Sequence, residues 1–224
     1  MTSLPDDVPS LAQLRARVQG MQAGSLQVPL AMPAELSGLV QLRTGGSYRV
    51  DDPGLALALL AAPSMSGAWT GLVGVDDLGV EAAEESGLNL DRTVVVPDPG
   101  DSWLEVVAAL VDVLPVVLLR APGRVSPATA SRLSARLRKR AAVLLVQGEW
   151  PGCEARLSVA ERQWYGAGAG RGRLLSRRVV VTCRRGSAPP VSRELWLPVE
   201  GTGLRAVDPA DTKRGVMTVV EEVG

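Results

Sequence analysis

Two kinds of segment alternate through the middle of the chain. Short apolar runs lie at Leu39–Leu42, Trp69–Val75, Thr93–Val96, Val116–Leu119 and Ala142–Val146. Helix-like stretches separate them: Gly54–Ala62, Leu78–Ser86, Ser102–Asp112 and Ser126–Arg140. This alternation predicts βαβ units and a mostly parallel sheet. The runs carry few polar residues, as strands covered on both faces do. After Glu149 the pattern changes. Ala155–Val159, Gln163–Gly166, Arg173–Cys183 and Ser192–Leu197 read as strands joined by glycine-rich turns with no helix between them. Such strands pair antiparallel and extend the sheet at one edge. The expected class is α/β: a mostly parallel central sheet with flanking helices, extended by C-terminal antiparallel strands.

The flanks differ from this core. Leu11, Leu14, Val18 and Met21 recur at helical spacing and predict a short amphipathic helix. Pro29 and Pro33 mark a linker after it. From Pro198 onward the chain reads as a tail with a late apolar cluster, Val216, Met217, Val219 and Val220. The organisation expected is therefore 1–29 as helix and linker, 30–198 as core, and 199–224 as tail. Both apolar clusters are candidate partner-docking elements, the tail by adding a strand to a sheet edge.

Composition removes several chemistries. The chain has 224 residues, and neither histidine, phenylalanine nor isoleucine occurs in it. Without histidine there is no Ser-His-Asp triad, no Cys-His pair and no HExxH zinc helix. Two cysteines, Cys153 and Cys183, are too few for a structural zinc site. Val106–Leu119 is the most apolar window, and it is too short to span a bilayer and contains Asp112 and Pro115. The N-terminus lacks the basic and apolar regions of a signal peptide, so a cytoplasmic protein with reduced thiols is expected.

Charge is polarised along the chain. Residues 1–119 hold 5 basic and 15 acidic groups, and residues 120–193 hold 16 basic and 3 acidic ones. Arginine's excess over lysine, 22 of 24 basic residues, fits a GC-rich genome, but codon bias does not explain arginine's concentration in one half. The candidates for contact with DNA or an acidic partner are Arg132 and Arg136 on one helix face, and Arg171, Arg173, Arg177, Arg178, Arg184 and Arg185 around the glycine-rich turn. Trp164 and Tyr165 are the only aromatics beside them, a thin platform for base stacking. Trp69, Trp103, Trp150 and Trp196 are expected in the core.

A doubly wound chain invites a search for a phosphate loop after its first strand. The stretch Arg43 to Gly54 has no lysine, and Asp51-Asp52 stands at the helix entrance. A working loop needs glycines, a lysine and a hydroxyl to hold phosphates and magnesium. A turn with a helix cap is the expected reading. The glycines at 166, 168, 170 and 172 lie among antiparallel strands and are not a dinucleotide fingerprint.

The run Trp69–Val75, Asp76 to Arg92, Thr93–Val96 and Pro97 resembles the second strand, helix and third strand of the RecA ATPase core. Val116–Arg120 resembles its fourth-strand region, and Val143–Gln147 the strand that ends in its sensor glutamine. With Asp98-Pro99-Gly100-Asp101-Ser102-Trp103 and Leu195-Trp196-Leu197-Pro198, the order is similar to the actinobacterial ImuA-prime proteins, RecA-like and SulA-related accessory factors of damage-induced mutagenesis. The resemblance spans roughly residues 30–198. It implies a RecA-like core and a place beside an ImuB-like, Y-family-derived hub and an error-prone replicative-type polymerase in translesion synthesis. It also shows what is missing. Arg120 stands where an active relative has its magnesium-site aspartate, and the catalytic glutamate aligns only loosely with Asp76 or Asp77. No catalytic residue, metal site or cofactor is therefore expected, and no ATP hydrolysis. A homopolymer built around ATP is not expected either. Direct contact with DNA is left open, and so is binding of nucleotide without hydrolysis. The rival readings are a stand-alone DNA-binding module using the 120–193 arginines, a nucleotide-binding regulator, and a SulA-like inhibitor of cell division.

Overall fold

The structure, a computed structural model, describes residues 27–168, 171–197 and 203–208; for 161, 162, 166–168 and 171–175 it describes the backbone only. Among the described residues nine strands form one sheet in the order β3-β2-β4-β5-β1-β6-β7-β8-β9. They are β1 (Ser47–Val50), β2 (Thr70–Val73), β3 (Thr93–Val96), β4 (Val116–Arg120), β5 (Val143–Gln147), β6 (Ala155–Gly168), β7 (Arg171–Arg184), β8 (Val191–Leu197) and β9 (Arg205–Ala206). Strands β1 to β6 run parallel, and β7, β8 and β9 are each antiparallel to their neighbours. This is the mostly parallel sheet with an antiparallel C-terminal extension that the segment pattern predicts.

Among the described residues four helices flank the sheet: α1 (Pro53–Met65), α2 (Val80–Glu85), α3 (Trp103–Val111) and α4 (Pro127–Arg140). Helix α1 is leucine and alanine from Leu55 to Ala62, strong helix formers, and almost every residue from Leu55 to Ser64 is buried. An all-apolar helix belongs inside a core rather than on its surface. It packs with Leu72, Leu118 and Leu145 of the sheet, with Leu36 and Leu39, and with Leu195, Leu197 and Leu204 from the extension. Helices α3 and α4 cover the opposite face through Val107, Val111, Leu133 and Leu137 against Val117, Leu119, Leu144 and Val146. The α4 entrance follows its local chemistry: the Thr129 amide donates to Ser126 Oγ at 3.1 Å and Pro127 sits in the first turn. No side chain caps α3 at Ser102; a 3₁₀ turn, Gly100–Ser102, leads into the helix instead.

The first strand is misplaced in the sequence reading. Leu39–Leu42 is not a strand but a folded segment following a 3₁₀ turn at Ala34–Leu36, in which the Leu39 and Val40 amides donate to Leu36 O. Its leucines are buried without a sheet ladder. The strand is Ser47–Val50, whose serine and arginine hide it from a hydrophobicity search. Pro29, expected in a linker, bridges to Arg43. Residues Gly203–Asp208, expected in a tail, return to the fold: Arg205–Ala206 pairs with β8, and Leu204 is fully buried. The segments 1–26 and 209–224 lie outside the described residues, and with them the docking candidates Leu11, Leu14, Val18, Met21, Val216, Met217, Val219 and Val220.

Candidate functional site

In an open parallel sheet, ligands bind beyond the C-terminal ends of the strands. Here those ends bring together Asp51 and Asp52 after β1, Asp76 and Asp77 after β2, Arg120 ending β4, and Gln147 ending β5. Arg120 and Gln147 are register partners. A cleft of about 160 Å³ lies among them, lined by Pro53, Leu57, Val75, Asp77, Leu78, Gly79, Leu118, Arg120 and Gln147.

Arg120 ties this edge together. Its Nη1 lies 3.1 Å from Asp76 Oδ1, its Nη2 lies 2.7 Å from Asp77 Oδ1, and its Nε donates to Gln147 Oε1 at 3.3 Å. The Arg120 hydrogen bond holds the Asp77 carboxyl below its usual range. The turn out of β2 passes tightly over the same strand end. Gly74 has φ +74°, and a Cβ built there would stand 2.7 Å from Arg120 O. Only glycine meets both demands.

A second ion pair closes the entrance of α1. The connection from β1 to α1 is just Asp51 and Asp52. Asp52 Oδ1 accepts the Leu55 amide at 3.0 Å, so the carboxylate caps the helix. Arg177 Nη2 reaches across from β7 to both Asp52 oxygens at 2.7 Å. Asp52 is 1% exposed and Arg177 8% exposed. The guanidinium also lies over the Trp164 ring, 5.3 Å from its centroid, and its Nε is buried without a hydrogen-bond partner. Gly54 permits this approach, since a Cβ there would come 3.3 Å from Arg177 Nη2. Beside it, Asp51 pairs with Arg49 at 2.8 Å and with Arg156 at 2.8 Å, and Arg49 reaches Glu149 at 2.6 Å.

A nucleoside triphosphate with magnesium fits this edge poorly. A two-residue connection provides no cradle of backbone amides, and the helix terminus that would attract phosphate already carries a carboxylate. Arg120, at the end of β4, is a cation already paired with two aspartates.

The arginine candidates separate into distinct environments. Arg177 is buried in the pair just described and is not on the surface. Arg178 pairs with Glu194. Arg184 is exposed beside Arg156 in register, and Arg185, also exposed, donates to Leu39 O at 2.8 Å. Arg171 and Arg173 lie on β7, with only their backbone described. Arg136 and Arg140 converge on Asp112 with shortest contacts of 2.6 and 3.1 Å, and Arg136 chiefly drives the Asp112 carboxyl well below the usual carboxylate range. With Arg132, Ala135 and Lys139 they line a second concavity of about 370 Å³ on α4. Trp150 and Trp196 are buried as expected, but Trp69 is 49% exposed. Both cysteines are free thiols, raised in pKa by burial.

A mostly parallel α/β sheet whose ligand edge is bridged by its own ion pairs defines the class. Within that class the chain belongs to the family described as the MT3502 N-terminal domain, whose model matches residues 35–152. It is 35% identical over 151 residues to the uncharacterized protein Rv3395c of Mycobacterium tuberculosis, covering 66% of this chain and 71% of that one. SulA from Pseudomonas aeruginosa aligns with a TM-score of 0.39 at 16% identity, over 46% of this chain and 96% of SulA, a likeness too remote to carry an argument. No helix among the described residues is long and apolar enough to cross a membrane.

Proposed function

We propose that this chain is a non-catalytic adaptor with a RecA-like core, working in an error-prone translesion DNA synthesis complex induced by DNA damage. The observation that carries the reading is the strand edge bridged by its own ion pairs, which leave a cleft of only about 160 Å³. Asp52–Arg177 fills the entrance of α1, and Arg120 is locked to Asp76, Asp77 and Gln147. A protein with this edge acts through its surfaces. By the resemblance to ImuA-prime proteins, its partners are an ImuB-like hub and an error-prone replicative-type polymerase. Co-purification of the full chain with those two proteins tests the reading. Recovery of a three-component complex without nucleotide is the expected result, and failure of the chain to join either protein contradicts it.

The stand-alone DNA-binding reading draws less support from the same geometry. Of its arginines, Arg177 is buried, Arg178 is paired with Glu194, and Arg136 is paired with Asp112. Binding through the remaining cations would weaken steeply with salt.

A further inference from the structure

The N-terminal edge of the sheet, opposite the closed one, carries a surface with the anatomy of a binding interface. The strand starts Thr93, Thr70, Val116 and Val143 are in register, so this edge is level across β3, β2, β4 and β5. Trp69 immediately precedes β2 and is 49% exposed. Met65, the last residue of α1, is 55% exposed, and Val113, in the loop before β4, is 75% exposed. A tryptophan, a methionine and a valine exposed singly would need no explanation; grouped at the strand starts of one sheet edge they mark an interaction surface. Tryptophan is also the side chain most often found as an interface anchor.

Cations flank this apolar centre. Arg92 precedes β3 and donates from Nη1 to Gly67 O at 2.7 Å, which fixes it beside the α1–β2 turn. Helix α4 ends at the same edge and brings Arg136, Lys139 and Arg140, all exposed. On the β3 side the acids are Asp91 and, further back at the end of α2, Glu84 and Glu85. On the α4 side the acid is Asp112, one residue before Val113, already held by Arg136 and Arg140. The edge is thus apolar in the middle and net positive on its α4 side. No aromatic besides Trp69 is offered for base stacking, which disfavours single-stranded nucleic acid as the occupant.

We infer that Met65, Trp69 and Val113, with Arg92, Lys139 and the α4 terminus around them, form the docking surface for an amphipathic segment of another protein. That segment carries apolar anchors flanked by aspartate or glutamate. Charge complementarity chooses it: a positive rim guides and orients an acidic flank, while the apolar centre supplies the affinity. The inference rests on the adaptor reading for the existence of a partner and adds the surface it uses. Nucleotide binding would overturn the reading without touching this surface, so the two fail separately.

The test uses the full chain and a fluorescein-labelled peptide of roughly 14 residues with leucine or phenylalanine every third or fourth position and glutamate between. Anisotropy titration at low salt should give a Kd of about 10–100 μM. Trp69→Ala and, separately, Val113→Asp should each weaken it about tenfold or more, and Lys139→Glu should weaken it severalfold. These positions are exposed, so thermal melts of the variants should stay near the parent. Val191→Asp, at an exposed apolar site on β8, should leave binding unchanged. Absence of binding at 1 mM peptide overturns the proposal, and so does binding that the three substitutions leave intact. Competition by an equal-length oligothymidylate at equal affinity assigns the edge to nucleic acid instead. A dimer in sedimentation that Trp69→Ala dissolves assigns it to a second copy of this chain.

Discussion

Replacing Arg177 with methionine separates a structural ion pair from a solvated one. The substitution keeps the length and much of the apolar stem but takes the Arg177 guanidinium away from the Asp52 carboxylate, which is 1% exposed. Removing one partner of a buried pair costs about 3–5 kcal/mol, because the remaining charge stays buried and uncompensated. Asp52 retains its hydrogen bond from the Leu55 amide, so the expected loss is about 3 kcal/mol, at the lower end of that range. For a chain of this size each kcal/mol moves the melting temperature by about 2–4 °C, so the midpoint should fall by roughly 6–12 °C. Asp52→Asn keeps a cap and orphans Arg177 instead, with a similar loss. The double variant Asp52→Asn/Arg177→Met has no buried charge at this place and should recover most of the stability. Urea unfolding followed by far-ultraviolet circular dichroism gives the three values. If Arg177→Met lies within about 0.5 kcal/mol of the parent, the range of an ordinary surface change, the pair is not the buried lock described here and the α1 entrance is open to solvent.

Three smaller changes probe other parts of the account. Ala141 ends α4 with φ +53°, a conformation that costs an alanine about 1–2 kcal/mol, so Ala141→Gly should stabilise the protein by about 0.5–1 kcal/mol in the same urea experiment. Gly74→Ala introduces a Cβ 2.7 Å from Arg120 O at a positive φ, and should cost about 2–4 kcal/mol while loosening the loop that carries Asp76 and Asp77. The carboxyl of Asp112 is depressed by Arg136 and Arg140. Its stabilisation is therefore complete above its unfolded value of 3.8 and is lost as acid titrates it toward the lower folded value. Melting temperatures measured from pH 6 downward should drop below about pH 4, and Asp112→Asn should flatten part of that drop. An unchanged acid limb would remove Asp112 from the account.

Much of the fold was legible because buried parallel strands announce themselves. Val116–Leu119 and Ala142–Val146 are nearly uniform apolar runs, and the helices between them carry alanine, leucine and clear entrance residues such as Ser126-Pro127. The first strand was not legible. Ser47-Tyr48-Arg49-Val50 has only two apolar residues, and its burial is decided by β5 and β6 on either side, partners more than 90 residues away. The run Leu39–Leu42 looked more like a strand because leucines pack equally well in a folded turn. Arg120 opposite the acidic pair was visible as a departure from an ATPase pattern. The Asp52–Arg177 contact spans 125 residues, and no local pattern carries it. Two signals were nevertheless present: an aspartate directly before a Pro-Gly helix start, and an arginine in phase with the apolar positions Val179 and Val181 of β7. Trp69 was read as core because tryptophan is highly buried on average, and only the register of the strand starts shows that it lies at the rim.

The account stands on a strand edge whose charges are paired with one another. Calorimetric titration of the full chain with ATP and magnesium, and with ADP, tests that most directly. No saturable heat up to about 1 mM ligand, a limit near 4 kcal/mol of binding free energy, is the predicted result. Saturable binding in the micromolar range, lost in an Arg120 or Asp52 variant that remains folded, would contradict it.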